Sequence, residues 1–286
     1  MKSVCFLFTS LLIAVPCGLA GTTAQPAVDK SGYYLFNPLP DNLLGDMGTD
    51  RPNKTNSPHT LEAGHFQLET GLFTYTRTTQ AGIRTGNDSW MDSTLRIGLT
   101  QRTEFDMELP VYQKNRSTDL ASHAVDRSSG TGDLTLMLVT NLWGNDTGDT
   151  AGGLEFWAKV PTANHIIGNG KLEGGAAFLL DVKLPHDFDL GINNGLGISA
   201  NDDGDAYHAD IINSICVSHA LVGPLSGYVE FFSSVPTRNG GDWVGTVDVG
   251  AMLMLGKNCQ LDAGINMGVT PGADDWQPFV GLSFRF

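Results

Sequence analysis

The end of the chain alternates between apolar and polar residues. Four residues of one parity are apolar: Val280, Leu282, Phe284 and Phe286. The residues between them are small, polar or charged: Gln277, Gly281, Ser283 and Arg285. Successive side chains of a β-strand point to opposite faces, so this stretch is predicted to be a strand with one apolar and one polar face.

The same alternation recurs from His65 to the end of the chain. It gives twelve predicted strands, at 66–73, 94–99, 104–111, 133–138, 154–160, 178–184, 188–193, 208–217, 225–231, 246–253, 261–269 and 276–286. An even number is usual for single-chain bacterial barrels. We therefore expect an all-β fold, a 12-stranded antiparallel transmembrane β-barrel of the outer-membrane type, over residues 65–286.

The predicted connections differ between the two sides. Tight turns are expected around Gln101 and at 185–187, 221–224 and 256–258, and longer loops at 115–130 and 162–172. Outer-membrane barrels have short periplasmic turns and longer outside loops. This places the protein in the outer membrane of a Gram-negative bacterium with both termini periplasmic. The connection at 144–153 is long for a periplasmic turn, and the one near Asp203 is short for an outside loop.

A soluble β-sandwich also alternates and is the rival fold. The apolar faces here carry almost no charge, whereas the opposite faces carry acids in mid-strand, as suits a wet lumen. Aromatic residues gather near the predicted strand ends, as in the two aromatic girdles of membrane barrels: Trp243 and Trp276 on one side, Phe66, Phe105, Phe188 and Phe286 on the other. These features favour the barrel.

The region before the barrel divides into two parts. Residues 1–24, with Lys2, an apolar run and Ala24, are predicted to be a secretory signal peptide. Residues 25–64 are rich in Pro, Asn, Asp and Gly and have no sustained period, so we expect an irregular segment. It could enter the lumen as a plug, pack under the barrel on the periplasmic side or be partly disordered.

Composition limits the partners. The net charge is −14, which argues against a nucleic-acid partner because such proteins cluster positive charge. Cys216 and Cys259 fall on strands not expected to be neighbours, so a disulfide is not predicted. The acidic stretch 201–205 lacks the length and terminal Glu of an EF-hand and is interpreted as a solvated turn. No metal site and no cofactor are predicted.

Charged side chains of inward parity form the candidate working surface. They are Glu69, Arg96, Glu104, Asp106, Glu108, Glu155, Lys159, Asp181, Lys183, Asp189, Asp210, Glu230, Asp248, Asp262 and Arg285. One interpretation is a self-satisfied network of hydrogen bonds that fills a small barrel. The other is a polar pathway with an acidic bias. Phe73, Trp157, Tyr228 and Phe232 are also predicted to point inward.

Two asparagines break the apolar outer face. Asn194 and Asn213 have outward parity on successive strands, and a hairpin turning near Asp203 would put them opposite each other. A local bulge could turn one of them inward. Otherwise they form an amide pair or a contact for a partner, since unpaired polar groups in hydrocarbon are costly.

A catalytic role is not predicted. His219 is the histidine of outward parity, no serine is placed to be its nucleophile, and no GxSxG, HExxH or Walker pattern occurs. A lipid-modifying enzyme of the outer membrane remains a rival hypothesis.

The residues before the first strand resemble a known family. Asp50-Arg51-Pro52, then Ser57-Pro58, then the run 64–69 of Gly-His-Phe-Gln-Leu-Glu, resemble the opening of an outer-membrane transporter family named for the meta-pathway of phenol degradation. The resemblance implies a porin-like channel or transporter for small molecules, with aromatic or other apolar compounds as solutes. A structural or adhesion barrel with a filled lumen and no flux is the alternative. The solute and the oligomeric state stay open.

The last strand also resembles the closing strand of an outer-membrane barrel, which the assembly machinery reads. Phe284 and Phe286 are the predicted assembly signal. The expected partners are therefore outer-membrane lipid and the barrel-assembly machinery.

Overall fold

The computed structural model describes residues 29–201 and 206–286. The predicted signal peptide, 1–24, and residues 202–205 of the acidic stretch lie outside these ranges. The strands are β1 (Phe66–Gln80), β2 (Ile83–Thr100), β3 (Thr103–Asp119), β4 (Val125–Gly130), β5 (Leu134–Trp143), β6 (Thr150–Val160), β7 (Glu173–Leu184), β8 (Phe188–Ala200), β9 (Tyr207–Val222), β10 (Leu225–Pro236), β11 (Val244–Met254), β12 (Cys259–Gly268) and β13 (Trp276–Arg285). Short 3-10 turns occupy Asp41–Leu43 and Pro185–Asp187. Within the described ranges, no helix has the length and apolar character needed to cross a membrane.

The sheet closes on itself. All paired strands are antiparallel, consecutive strands pair except β4 and β5, which both pair with β3, and β1 pairs with β13 to complete the circuit. At the seam, the Phe66 amide donates to the Phe286 carbonyl at 3.1 Å and the Phe286 amide donates to the Phe66 carbonyl at 2.9 Å. A closed barrel leaves no strand edge with unsatisfied backbone groups.

β4 and β5 are two parts of one barrel strand. Both pair with β3 in a single register, Gln113 opposite Gly130 and Glu108 opposite Thr135. The ladder is interrupted opposite Pro110, which has no N–H to donate; its carbonyl accepts from the Gly132 amide at 2.8 Å. The thirteen segments therefore make the predicted 12-stranded antiparallel barrel.

The strands on one side are longer than predicted. Residues 74–93, left between the first two predicted strands, belong to β1 and β2, which turn tightly at Ala81 and Gly82. The predicted long loop at 115–130 was wrong, since β3 and β4 form a hairpin there. These extensions carry Thr, Ser, Asn and charged residues on both faces, so they lack the apolar period that marked the other strands.

The barrel has two distinct ends. The turn end holds Phe66, Phe286 and the connections 101–102, 144–149, 185–187, 223–224 and 255–258. The far end holds the remaining connections, at 81–82, 120–124, 161–172, 201–206, 237–243 and 269–275. The predicted tight turns at the turn end are confirmed, and the connection after β5 is six residues long, 144–149.

A bulge in β1 changes which side chains face outward. The pairing with β13 shifts between Gly71 and Phe73, so that Thr74 lies opposite Phe279. The Phe279 ring faces Arg51 in the lumen, at 5.8 Å. Thr74 is therefore inward and Phe73 outward, and the inward prediction for Phe73 was wrong because the bulge reverses the parity of the strand.

The outward aromatic residues near the far end form a band. The Phe73 ring lies 5.6 Å from Trp90, which lies 5.6 Å from Tyr112. Tyr75 and Trp276 are 5.2 Å apart on the same surface. Such a band is typical of the aromatic girdle of a membrane barrel.

Candidate functional site

Part of the N-terminal segment fills the middle of the barrel. We call residues 48–62 the lumen plug; they have no regular structure and include Pro52 and Pro58. Lumen-facing glycines allow its close approach. A Cβ on Gly98 would lie 2.1 Å from the Glu62 carbonyl oxygen, and one on Gly281 would lie 2.2 Å from Arg51 Nη2. Of the three predicted placements for this segment, the lumen is the one observed for residues 48–62.

One side of the plug is attached through Arg51. Its guanidinium donates to both oxygens of Asp262 on β12, with Nη2 to Oδ1 at 2.9 Å. Its backbone amide donates to Glu69 of β1 at 2.9 Å. Two-point pairing of an arginine with a carboxylate is among the stronger polar contacts in proteins.

Lys54 and Thr55 attach the plug to the adjoining strands of the wall, β10 and β11. Lys54 Nζ lies 3.0 Å from Asp248 Oδ2 and 5.0 Å from the centre of the Phe232 ring. The Lys54 amide donates to both carboxylate oxygens of Glu230, and the Thr55 hydroxyl donates to the same group at 2.5 Å. The ammonium group of Lys54, the second cation of the plug, therefore lies against β10 and β11.

Residues 56–61 of the plug contact β3, β6 and β7. The Asn56 amide donates to Glu155 at 2.6 Å, and the Ser57 hydroxyl donates to Asp181 at 2.9 Å. The Leu61 amide donates to Glu104 at 2.5 Å. The lumen carboxylates thus supply acceptors to a segment whose own backbone forms no ladder.

Arg96 joins the plug to the wall at its centre. This side chain is 3% exposed. Nη1 lies 2.9 Å from Glu69 and 3.3 Å from Asp50, and Nη2 lies 2.7 Å from Glu104. Asp50 also accepts from the Ser57 amide at 3.0 Å. One buried cation therefore holds carboxylates of β1, β3 and the plug together.

Arg285 connects the plug to the turn end. It donates to Glu62 at 3.1 Å and to the Gly45 carbonyl at 2.9 Å. The residues before the plug lie across the turn end, where the Leu35 amide donates to the Leu99 carbonyl at 2.9 Å.

Lys30 bonds to Asp146 at the same end. Burial raises the pKa of Asp146, but hydrogen bonds from Lys30 and Gln101 outweigh it, and the pKa lies below its usual range.

The other predicted lumen residues fall into four groups. Lys159 lies between the plug and the far end, 2.6 Å from Glu173 and 3.6 Å from Asp133. Asp210 accepts from Ser199 at 2.6 Å and lies 3.3 Å from His208.

Asp106 and Glu108 line cavities beside the plug. Lys183 and Asp189 are exposed and lie opposite each other at the turn end.

Several residues of the site were not among the predicted lumen residues. Asp50, Arg51 and Lys54 belong to the plug, and Asp92 and Asp133 face the lumen. The Asp50-Arg51-Pro52 motif was noted for its resemblance to the family, but these residues have no periodicity from which their position in the fold could be predicted. Asp92 and Asp133 lie just beyond the apolar part of their strands, where the parity signal was weak.

Three cavities occupy the lumen around and beyond the plug. The cavity at the turn end has about 660 Å³ and includes Arg96 in its wall. The middle cavity has about 200 Å³, and its wall includes Arg96, Glu108 and Met137. The cavity towards the far end has about 410 Å³ and shares Glu108 and Met137 with the middle one. Successive cavities therefore have wall residues in common.

The outward asparagines form a hydrogen-bonded pair. Asn194 and Asn213 are opposite each other, and Asn194 Nδ2 donates to Asn213 Oδ1 at 2.7 Å. The apolar residues Ile192, Leu196, Ile211 and Ile215 surround them on the outer face.

His219, the histidine of outward parity, has local contacts. Its ring is tilted against that of Phe188 with centroids 4.3 Å apart, and its Nε2 lies 3.1 Å from the His186 carbonyl oxygen. Cys216 and Cys259 are free thiols. In the described ranges, no group of three or more His, Cys, Asp or Glu side chains is arranged to hold a metal ion.

Solved outer-membrane proteins have this fold. An outer membrane channel from Pseudomonas putida F1 is 14% identical, with a TM-score of 0.62, covering 82% of this chain and 99% of that chain. The transport unit of the autotransporter AIDA-I from Escherichia coli is 12% identical, with a TM-score of 0.50, covering 84% of this chain and 93% of that chain. Among curated proteins no relative matches the sequence.

A family model matches residues 49–286, a range that starts at the plug and includes every strand. The resemblance found in the sequence is thereby confirmed. The chain belongs to the family described as "Putative MetA-pathway of phenol degradation".

Proposed function

We propose that this protein is an outer-membrane channel that lets small molecules pass beside the lumen plug. The observation that carries the proposal is the series of three cavities from the turn end to the far end. In this arrangement the plug narrows the lumen without filling it. Arg96 and the Glu108–Met137 pair are the narrow points that a solute must cross.

The outer surface and the connections bear on how the barrel lies in the membrane. Apolar outward faces and the aromatic band support residence in a bilayer. We propose that the turn end, with both termini, is periplasmic, because short turns lie on that side in barrels of this kind.

Two features bear on the solute. Most charged groups along the cavities are acids, which favours polar solutes of positive charge. Trp157, Met137 and Ile212 line the cavity towards the far end, which favours the aromatic or apolar compounds implied by the family resemblance.

Conductance in planar bilayers tests the proposal. The whole protein should give small discrete openings. A variant in which residues 50–57 are replaced by a Gly-Ser linker of equal length should conduct several-fold more, because the plug occupies the middle of the lumen. Replacing residues 120–124, a hairpin tip outside the barrel, by Gly-Ser is the control and should leave the conductance unchanged. Absence of openings at any voltage in correctly folded protein would favour the structural barrel with a filled lumen.

A further inference from the structure

Among the described residues, three lumen carboxylates take no part in the hydrogen bonds and ion pairs given above. Asp92, Asp106 and Glu108 lie on β2 and β3 and line the middle cavity. Asp106 is 2% exposed, and its Oδ1 has no hydrogen-bond donor among the described residues. The same holds for Asp92 Oδ1. Buried acceptors without a donor are costly, so their presence in a cavity wall points to a donor supplied by a ligand.

The two cations that line the same cavity are paired with other carboxylates. Arg51 forms its two-point contact with Asp262, and Arg96 binds Asp50, Glu69 and Glu104. The middle cavity is lined by more acids than bases: Asp50, Glu69, Asp92, Asp106, Glu108 and Glu155 against Arg51 and Arg96. A cleft of one charge sign concentrates ions of the opposite sign, so this space favours a cation.

The cavity beyond the acidic group has apolar side chains in a mixed wall. Glu108 and Met137 stand at the boundary with the next cavity, whose wall includes Trp157 and Ile212. An indole face attracts a cation as well as apolar surface. The middle cavity has about 200 Å³, and a cavity of roughly 150 Å³ is enough for a benzene ring.

An ammonium group suits these acceptors. The described carboxylates form no set that would hold a metal ion, whereas an ammonium group offers three donors to separately placed acceptors.

We infer that the passage binds small organic cations, with an ammonium group against Asp92, Asp106 and Glu108 and an apolar part against Met137 and Trp157. This inference rests on the proposed channel and names its solute class. The two carboxylate oxygens without donors in the wall of an acidic cavity are the reason for choosing the charge, and the adjoining Trp157 is the reason for choosing an organic cation.

Benzylammonium and benzoate are suitable probes, since they share a ring and differ in charge. Isothermal titration of the detergent-solubilised full chain should detect benzylammonium and not benzoate. In bilayers, a gradient of benzylammonium chloride should give a reversal potential that favours the cation over chloride. Glu108→Gln should weaken the binding and reduce the permeability ratio by about fivefold, as expected for the loss of one partly screened charge.

Asp189→Asn is the matched control. It removes the same charge from an exposed site at the turn end that lines none of the three cavities, and it should leave both readouts unchanged. Met137→Ala should weaken benzylammonium binding while preserving the preference for K⁺ over Cl⁻. The β-sheet circular-dichroism spectrum and unheated gel mobility establish that each variant is folded.

The outcomes separate the two proposals. Equal binding of benzoate and benzylammonium, or no effect of Glu108→Gln on either readout, would overturn the inference while a conducting channel still stood. Failure of the folded protein to conduct would remove the channel, and the titration would still decide whether the acidic group binds an organic cation.

Discussion

At the scale of single residues, Arg96 decides how the plug meets the wall. Its guanidinium is buried and bonds carboxylates from β1, β3 and the plug. A buried charge contributes little net stability when well paired, but removal of one partner leaves the others uncompensated. Loss of the Arg96 guanidinium is therefore expected to lower the stability of the protein strongly.

Arg96→Gln should lower the free energy of unfolding by about 3–5 kcal/mol, because Glu69, Glu104 and Asp50 lose their shared cation. Urea unfolding of protein reconstituted in lipid vesicles measures the change. Arg84→Gln is the control on the same strand, at an exposed position, and should change stability by less than about 0.5 kcal/mol. Equal stability of the two variants would contradict this role for Arg96.

At the scale of elements, the β8–β9 hairpin carries a polar pair on an apolar surface. In the 2.7 Å hydrogen bond, Asn194 Nδ2 donates to Asn213 Oδ1, so one polar atom of each side chain has a partner. Direct cross-strand pairing excludes the bulge that would have turned one of them inward. Polar residues facing lipid are costly unless paired, so the two substitutions should not be independent.

A double-mutant cycle measures this dependence. Asn194→Leu and Asn213→Leu should show a coupling energy of about 0.6 kcal/mol in lipid, the usual size for a side-chain hydrogen bond between membrane segments. The double variant should be at least as stable as the native protein. Ile192→Ala and Ile215→Ala, an outward pair on the same strands, provide the comparison and should be nearly additive. Additivity at the asparagine pair would show that the hydrogen bond contributes nothing.

At the scale of the whole molecule, the fold depends on closure between β1 and β13. Phe286 forms two backbone hydrogen bonds with Phe66, and its ring stacks on Phe66 at 6.1 Å. Phe284 lies beside it at 5.7 Å. The last residue therefore joins the final strand to the first and also presents the aromatic group that we predict to be read during assembly.

Deletion of Phe286 should reduce the amount of folded barrel in the outer membrane much more than it reduces conductance per assembled molecule. Phe286→Ala is the informative comparison, since it removes the ring and leaves the backbone bonds. If the ring is the assembly signal, both variants should accumulate poorly, and quantitative blotting of membrane fractions measures this. Normal levels of the deletion variant would count against the prediction.

The sequence by itself determined the barrel. Period-two alternation is a local property, set by the pleat of each strand, and it recurs wherever one face meets an apolar surface. It located every strand that crosses the apolar band and the tight turns of one end. It did not reveal the extensions of β1, β2 and β3, because polar residues occur on both faces there, apolar residues are few, and the bulge in β1 reverses the parity.

Only the tertiary structure decided what the lumen contains. Residues 48–62 have no period, so nothing local places Arg51 against Asp262 or Lys54 against Asp248, some two hundred residues away. The bulge that turns Phe73 outward is likewise a matter of pairing between the first and last strands. The alternating pattern predicts which residues face the lumen, whereas closure of the barrel around the plug decides which of them are paired and which line the cavities.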